Sequence, residues 1–63
     1  MQAFEYMSVE AEDMVVVRVN NVATSGRAAD VDFLNDLGAK GWELVTIITQ
    51  DAFFRYFLKR PKQ

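Results

Sequence analysis

The stretch Leu34-Asn35-Asp36-Leu37-Gly38-Ala39-Lys40-Gly41-Trp42-Glu43-Leu44-Val45 holds the change of structure on which the fold turns. Leading into it, Val31, Leu34 and Leu37, with Phe33 alongside, recur at helical spacing and predict a core-facing stripe on a helix from about Arg27 to Lys40. Ser25 or Thr24 falls near its N-cap, and Asp30 and Asp32 lie toward the positive end of the helix dipole. Gly41 is placed as the left-handed residue that ends the helix, and Gly38 reads as the position that lets the last turn approach a sheet closely. After Gly41 the pattern becomes extended. Trp42–Thr49 and Phe53–Arg60 predict two strands, joined by Gln50-Asp51-Ala52, a loop of hairpin length.

Toward the N-terminus, Ala3–Val9 predicts a strand with Phe4, Tyr6 and Ser8 on one face and Glu5, Met7 and Val9 on the other. Glu10–Asp13 reads as a short acidic turn. Met14–Asn20 is β-branched enough for a second strand, with Val15, Val17 and Val19 opposite Met14, Val16 and Arg18. Asn20-Asn21 favours a turn, and Ala23–Gly26 reads as a loop entering the helix. The order is therefore ββαββ: an α+β fold in which a small antiparallel sheet packs on one helix, as a single domain over residues 1–63.

Alternate strand residues point to opposite faces, so the two sides of the last hairpin are directly comparable, and both are apolar. Trp42, Leu44 and Ile48 oppose Val45 and Ile47, while Phe54, Tyr56 and Leu58 oppose Phe53 and Phe57. One helix covers one face of a small sheet and leaves the other in water, where a contiguous apolar patch marks an interaction surface. Two-fold pairing of identical patches is the commonest mode of association, so Val45, Ile47, Phe53 and Phe57 are the expected homo-oligomer interface, with a homodimer the simplest form. The alternatives are a face assignment displaced by one register somewhere, or an N-terminal segment folded back over the sheet.

Composition narrows the chemistry. The 63 residues include neither cysteine nor histidine, which removes disulfides, thiolate and imidazole metal ligands and the usual proton shuttle. Ser8 and Ser25 have no histidine to activate them, and Lys40, Lys59 and Lys62 stand at element ends rather than in a core. Glu10, Glu12 and Asp13, or Asp30, Asp32 and Asp36, are carboxylate clusters, read as a solvated turn and as the polar face of a helix rather than as cation sites. No catalytic residue, metal or cofactor is expected. No apolar run approaches a membrane span, and Met1–Asp13 lacks the pattern of a signal peptide, so the expectation is a soluble cytoplasmic protein with no membrane partner. All nine acidic residues lie in Met1–Asp51, whereas Arg55, Lys59, Arg60 and Lys62 sit beyond it with no acid between them.

Two motifs bear on nucleic acid. Gly38-Ala39-Lys40-Gly41 has the bare form of a backbone-gripping G-x-x-G loop, but a strand follows at once where a second helix is required, and helix termination is the better reading. In Phe53–Arg60, the residues Phe53, Arg55, Phe57 and Lys59 alternate on one face, an arrangement able to stack bases and neutralise phosphate. Against that stands a core or interface strand whose basic residues occupy its solvated end.

The segment from Leu34 to Val45, followed by Tyr56-Phe57-Leu58-Lys59-Arg60, resembles a family of small bacterial and phage proteins catalogued as domain of unknown function 4177. The resemblance spans Leu34 to Arg60, and Phe4–Val9 is compatible with the usual beginning of the family. It implies a short antiparallel sheet on one helix, with Gly38, Gly41, Trp42 and Glu43 as the structural hallmark, and it supplies no catalytic residues. Physically, Gly41 turns the chain, Trp42 plugs the helix-to-sheet junction, Leu44 and Val45 begin a central strand, and Glu43 is positioned to meet Arg55 or Arg60. The expected function is a non-enzymatic, homo-oligomeric interaction module. The alternative is a nucleotide or nucleic-acid binder using Phe53, Arg55, Phe57 and Lys59, or a pocket at a subunit interface.

Overall fold

The computed structural model of the chain describes residues 2–62, without the Ser25 side chain. Five strands and one helix follow in the order β1 (Phe4–Glu12), β2 (Val15–Val19), β3 (Val22–Ala28), α1 (Val31–Ala39), β4 (Glu43–Gln50) and β5 (Phe53–Pro61). All strand pairs are antiparallel, in the spatial order β3-β2-β1-β5-β4. The fold is a small antiparallel sheet with one helix, but its order is βββαββ rather than ββαββ.

The additional strand is β3, which takes up the segment expected to be a loop and the start of the helix. Asn20 and Asn21 both adopt positive φ, 52° and 66°, as a two-residue hairpin turn requires. Thr24 and Ser25 thus lie inside β3, and the helix is capped by Asp30, whose Oδ1 accepts from the Phe33 amide at 3.0 Å. The helix is correspondingly shorter than expected. Phe33 is buried, Leu34 and Leu37 are half-buried, and Val31, at 69% exposure, faces away from the core.

The helix ends in a Schellman arrangement. The Gly41 amide donates to the Gly38 carbonyl at 2.9 Å and the Trp42 amide to the Leu37 carbonyl at 3.1 Å, with Gly41 at φ +91°. Gly38 has a different role from the one its sequence position suggests. A Cβ built there meets nothing within 4 Å among the described residues, so no close approach to the sheet depends on it.

The core lies between α1 and one sheet face. Met7, Val9 and Ala11 of β1, Val16 of β2, and Tyr56 and Leu58 of β5 surround Phe33. The central strand is β1, whereas β4, where a central strand was expected, stands at the edge. Glu10-Ala11-Glu12 continues β1, so the acidic turn shrinks to Asp13-Met14, both at positive φ. A bulge at Val17 lets Val16 face Ala11 and Val19 face Val9 on the core side, in place of a shared Val15, Val17 and Val19 face.

Candidate association surface

The sheet face away from α1 is set by the ladder between β1 and β5. Regular pairing places Phe53 opposite Glu12, Arg55 opposite Glu10, Phe57 opposite Ser8 and Lys59 opposite Tyr6. Phe53, Arg55, Phe57 and Lys59 therefore share one face, as their alternation predicts, opposite the core residues Phe54, Tyr56 and Leu58. On β4 the alternation breaks. Leu44 faces Leu58, but the next paired residue, Thr46, faces Phe57, leaving Val45 as an unpaired bulge residue. Beyond it every side chain changes face: Ile47 lies opposite the core residue Tyr56, and Ile48 opposite Arg55. Ile47 is thus separated from Phe53 and Phe57, and Ile48 takes the place expected for it.

Glu10 is the unexpected member of this face. It is only 7% exposed, and its two carboxylate oxygens are held by Arg55 Nη2 at 2.8 Å and Arg18 Nη1 at 3.2 Å, one from each neighbouring strand. A buried carboxylate needs such partners, since desolvation of an unpaired charge is costly. Lys59 Nζ lies 4.6 Å from the centre of the Phe4 ring, and the Arg55 guanidinium is 5.8 Å from that of Phe53. Glu43 faces Lys59 across the ladder instead of Arg55 or Arg60. Glu10, Glu12 and Glu43 therefore offset Arg18, Arg55 and Lys59 on this face, and β5 carries the basic strip because it runs beside acidic β1. A charge-balanced face is a poor track for a phosphate backbone.

Arg60 closes the helix-to-sheet junction. Its guanidinium lies 4.3 Å from the centre of the Trp42 ring, Nη1 donates to the Lys40 carbonyl at 3.1 Å, and Nε donates to Glu5. A cavity of about 290 Å³ beside it is lined by Lys40, Gly41, Arg60 and Pro61. It is poorly suited to an anion, because it sits at the electronegative end of α1 and Arg60 is already engaged. A second cavity, about 430 Å³, lies between two hairpin turns and is lined by Glu12, Asp13, Gln50, Asp51, Ala52 and Phe53. Among the described residues, no group of three or more Asp, Glu, His or Cys is placed to hold a metal ion, and no helix is long and apolar enough to cross a membrane.

Among the described residues, β4 carries a run of exposed apolar side chains. Every residue from Glu43 to Gln50 is exposed, including Leu44, Val45, Ile47 and Ile48, and β4 contributes nothing to the buried core. Among the described residues, its outer backbone edge faces no strand. The other edge, β3, is broken by a register shift, carries Gly26 at φ +84° and includes Arg27, features that discourage strand addition. Among the described residues, β4 beyond Val45 has no charge, proline or glycine.

These features define a small α+β domain with a one-sided core and an exposed apolar edge strand. Residues 4–59 match the family model described as Domain of unknown function (DUF4177), and the chain belongs to that family. Comparison with curated proteins and with solved structures gave no match.

Proposed function

We propose that the chain is a non-enzymatic, cytoplasmic interaction module that works as a homo-oligomer, associating through the β4 side of its sheet. The observation that carries this reading is the edge strand exposed along its whole length, with Leu44, Val45, Ile47 and Ile48 between 40% and 53% exposed. Covering four half-exposed aliphatic side chains contributes about 1 kcal/mol each, in each of two copies. That sum is of the same order as the roughly 4–15 kcal/mol of freedom lost on association, so side-chain burial alone gives weak affinity, well short of nanomolar. Sedimentation equilibrium from one to several hundred micromolar is the test. A concentration-dependent rise above 7.2 kDa is expected, and a monomer throughout that range would overturn the proposal.

A second reading is favoured by one observation, the shared face of Phe53, Arg55, Phe57 and Lys59, which would suit a nucleotide ring or a single strand. Its ion pairs count against it. A ligand-dependent rise in melting temperature across a panel of nucleotides and oligonucleotides, weakened by salt and lost in Arg55→Ala, would support this reading over association. Unaltered melts at low salt would remove it.

A further inference from the structure

Resting on the self-association proposed above, we propose a specific mode: β4 pairs edge to edge with β4 of a second copy, antiparallel about a two-fold axis at Ile48, giving one continuous ten-stranded sheet. The segment Thr46–Gln50 is the regular part of β4 after the Val45 bulge. In antiparallel pairing by a two-fold axis normal to the sheet, residues facing each other must lie on the same face. Thr46, Ile48 and Gln50 lie on the open face and Ile47 and Thr49 on the helix face, as their β5 partners fix. A centre at Ile48 pairs Thr46 with Gln50, Ile47 with Thr49 and Ile48 with itself. All five residues then find partners on their own face and the bulge stays outside. A centre at Ile47 instead brings Val45 into the ladder.

The chemistry of the occupant follows from the same segment. A strand suited to Thr46-Ile47-Ile48-Thr49-Gln50 is extended, uncharged and rich in β-branched residues, and the segment itself, β-branched at four of its five positions, meets that description. With no charge within the paired stretch, its copy meets no like charge there. The pairing satisfies the free backbone edge and places Ile48 against Ile48. The β3 edge, with its irregular ladder, offers no comparable self-match.

The chain contains no cysteine, so single-cysteine variants give an unambiguous readout. Directly opposed residues in an antiparallel pair have Cα atoms about 4.5–5.5 Å apart, within reach of a disulfide. Ile48→Cys should cross-link to a covalent dimer under mild oxidation, whereas Val22→Cys on the other edge and Phe57→Cys on the open face should not. Ile48→Lys, which sets like charges against each other at the axis, should weaken association on the order of 100-fold while circular dichroism stays unaltered. If the unmodified chain is an oligomer but Phe57→Cys or Val22→Cys cross-links in place of Ile48→Cys, the edge pairing is wrong and the self-association reading survives. If Ile48→Lys folds and associates as tightly as the unmodified chain, the edge pairing is also wrong. A monomeric unmodified chain that fails to cross-link at any of the three sites overturns both.

Discussion

Replacing the two glycines of Gly38-Ala39-Lys40-Gly41 by alanine, one at a time, should move stability in opposite directions. At Gly41 the backbone is left-handed, with φ +91°, and its amide closes the helix onto Gly38. The nearest atom to an added Cβ is Arg60 Cδ at 4.0 Å, so crowding is negligible and the cost is that of the backbone conformation alone. That cost is about 1–2 kcal/mol, partly offset by the lower entropy of alanine in the unfolded chain, for a net loss of about 1 kcal/mol. Gly38 is in the last turn of α1 with nothing within 4 Å of an added Cβ, so Gly38→Ala should gain about 0.5–1 kcal/mol from helix propensity. For a domain of this size 1 kcal/mol is worth roughly 4–8 °C in Tm, and the two variants should melt roughly 10 °C apart. Thermal and urea denaturation followed by circular dichroism, at matched protein concentration, would measure both. A Gly38→Ala variant as unstable as Gly41→Ala would refute the reasoning, because it would mean that the outer face of that turn is packed against something.

Three further outcomes are expected from the same denaturation assays. Met14 sits at φ +64° in the β1–β2 turn, where asparagine is better tolerated, so Met14→Asn should stabilise by about 0.5–1 kcal/mol; a loss of stability would count against a left-handed Met14. Asp30→Ala removes the N-cap acceptor of the Phe33 amide and should cost about 1 kcal/mol, with Asp30→Ser recovering most of it; equal stability of the alanine and serine variants would contradict the cap. Glu10→Gln leaves Arg18 and Arg55 without their shared carboxylate but free to hydrate, since both are more than two-fifths exposed, and should cost about 1–2 kcal/mol. An unaltered urea midpoint for Glu10→Gln would show that the two ion pairs contribute nothing net.

Local sequence signals were enough to place the helix end and the hairpin that follows it. Gly41 and the switch from helical to alternating spacing are local signals, and the ladder of β5 runs without interruption from Phe53 to Pro61 against β1. The opposition of Phe53 and Phe57 to Phe54, Tyr56 and Leu58 was legible for that reason. Asn20-Asn21 also carried a usable signal for the missed β3 hairpin, because two consecutive residues tolerant of positive φ between valines suit a two-residue turn. Strand order, bulges and cross-strand partners depended on tertiary structure. The Val45 bulge is defined only against β5, and it exchanges the faces of Ile47 and Ile48 while leaving the composition of β4 unaltered. Glu10 reads as a solvated turn until Arg18 and Arg55 arrive from the strands on either side and make its burial affordable. The placement of β4 at the edge, which turns an ordinary apolar strand into the leading candidate for association, follows from which strands pair across the whole chain. Periodicity records how a side chain points relative to its own backbone; which neighbour covers it is settled only by the competition among long-range pairings.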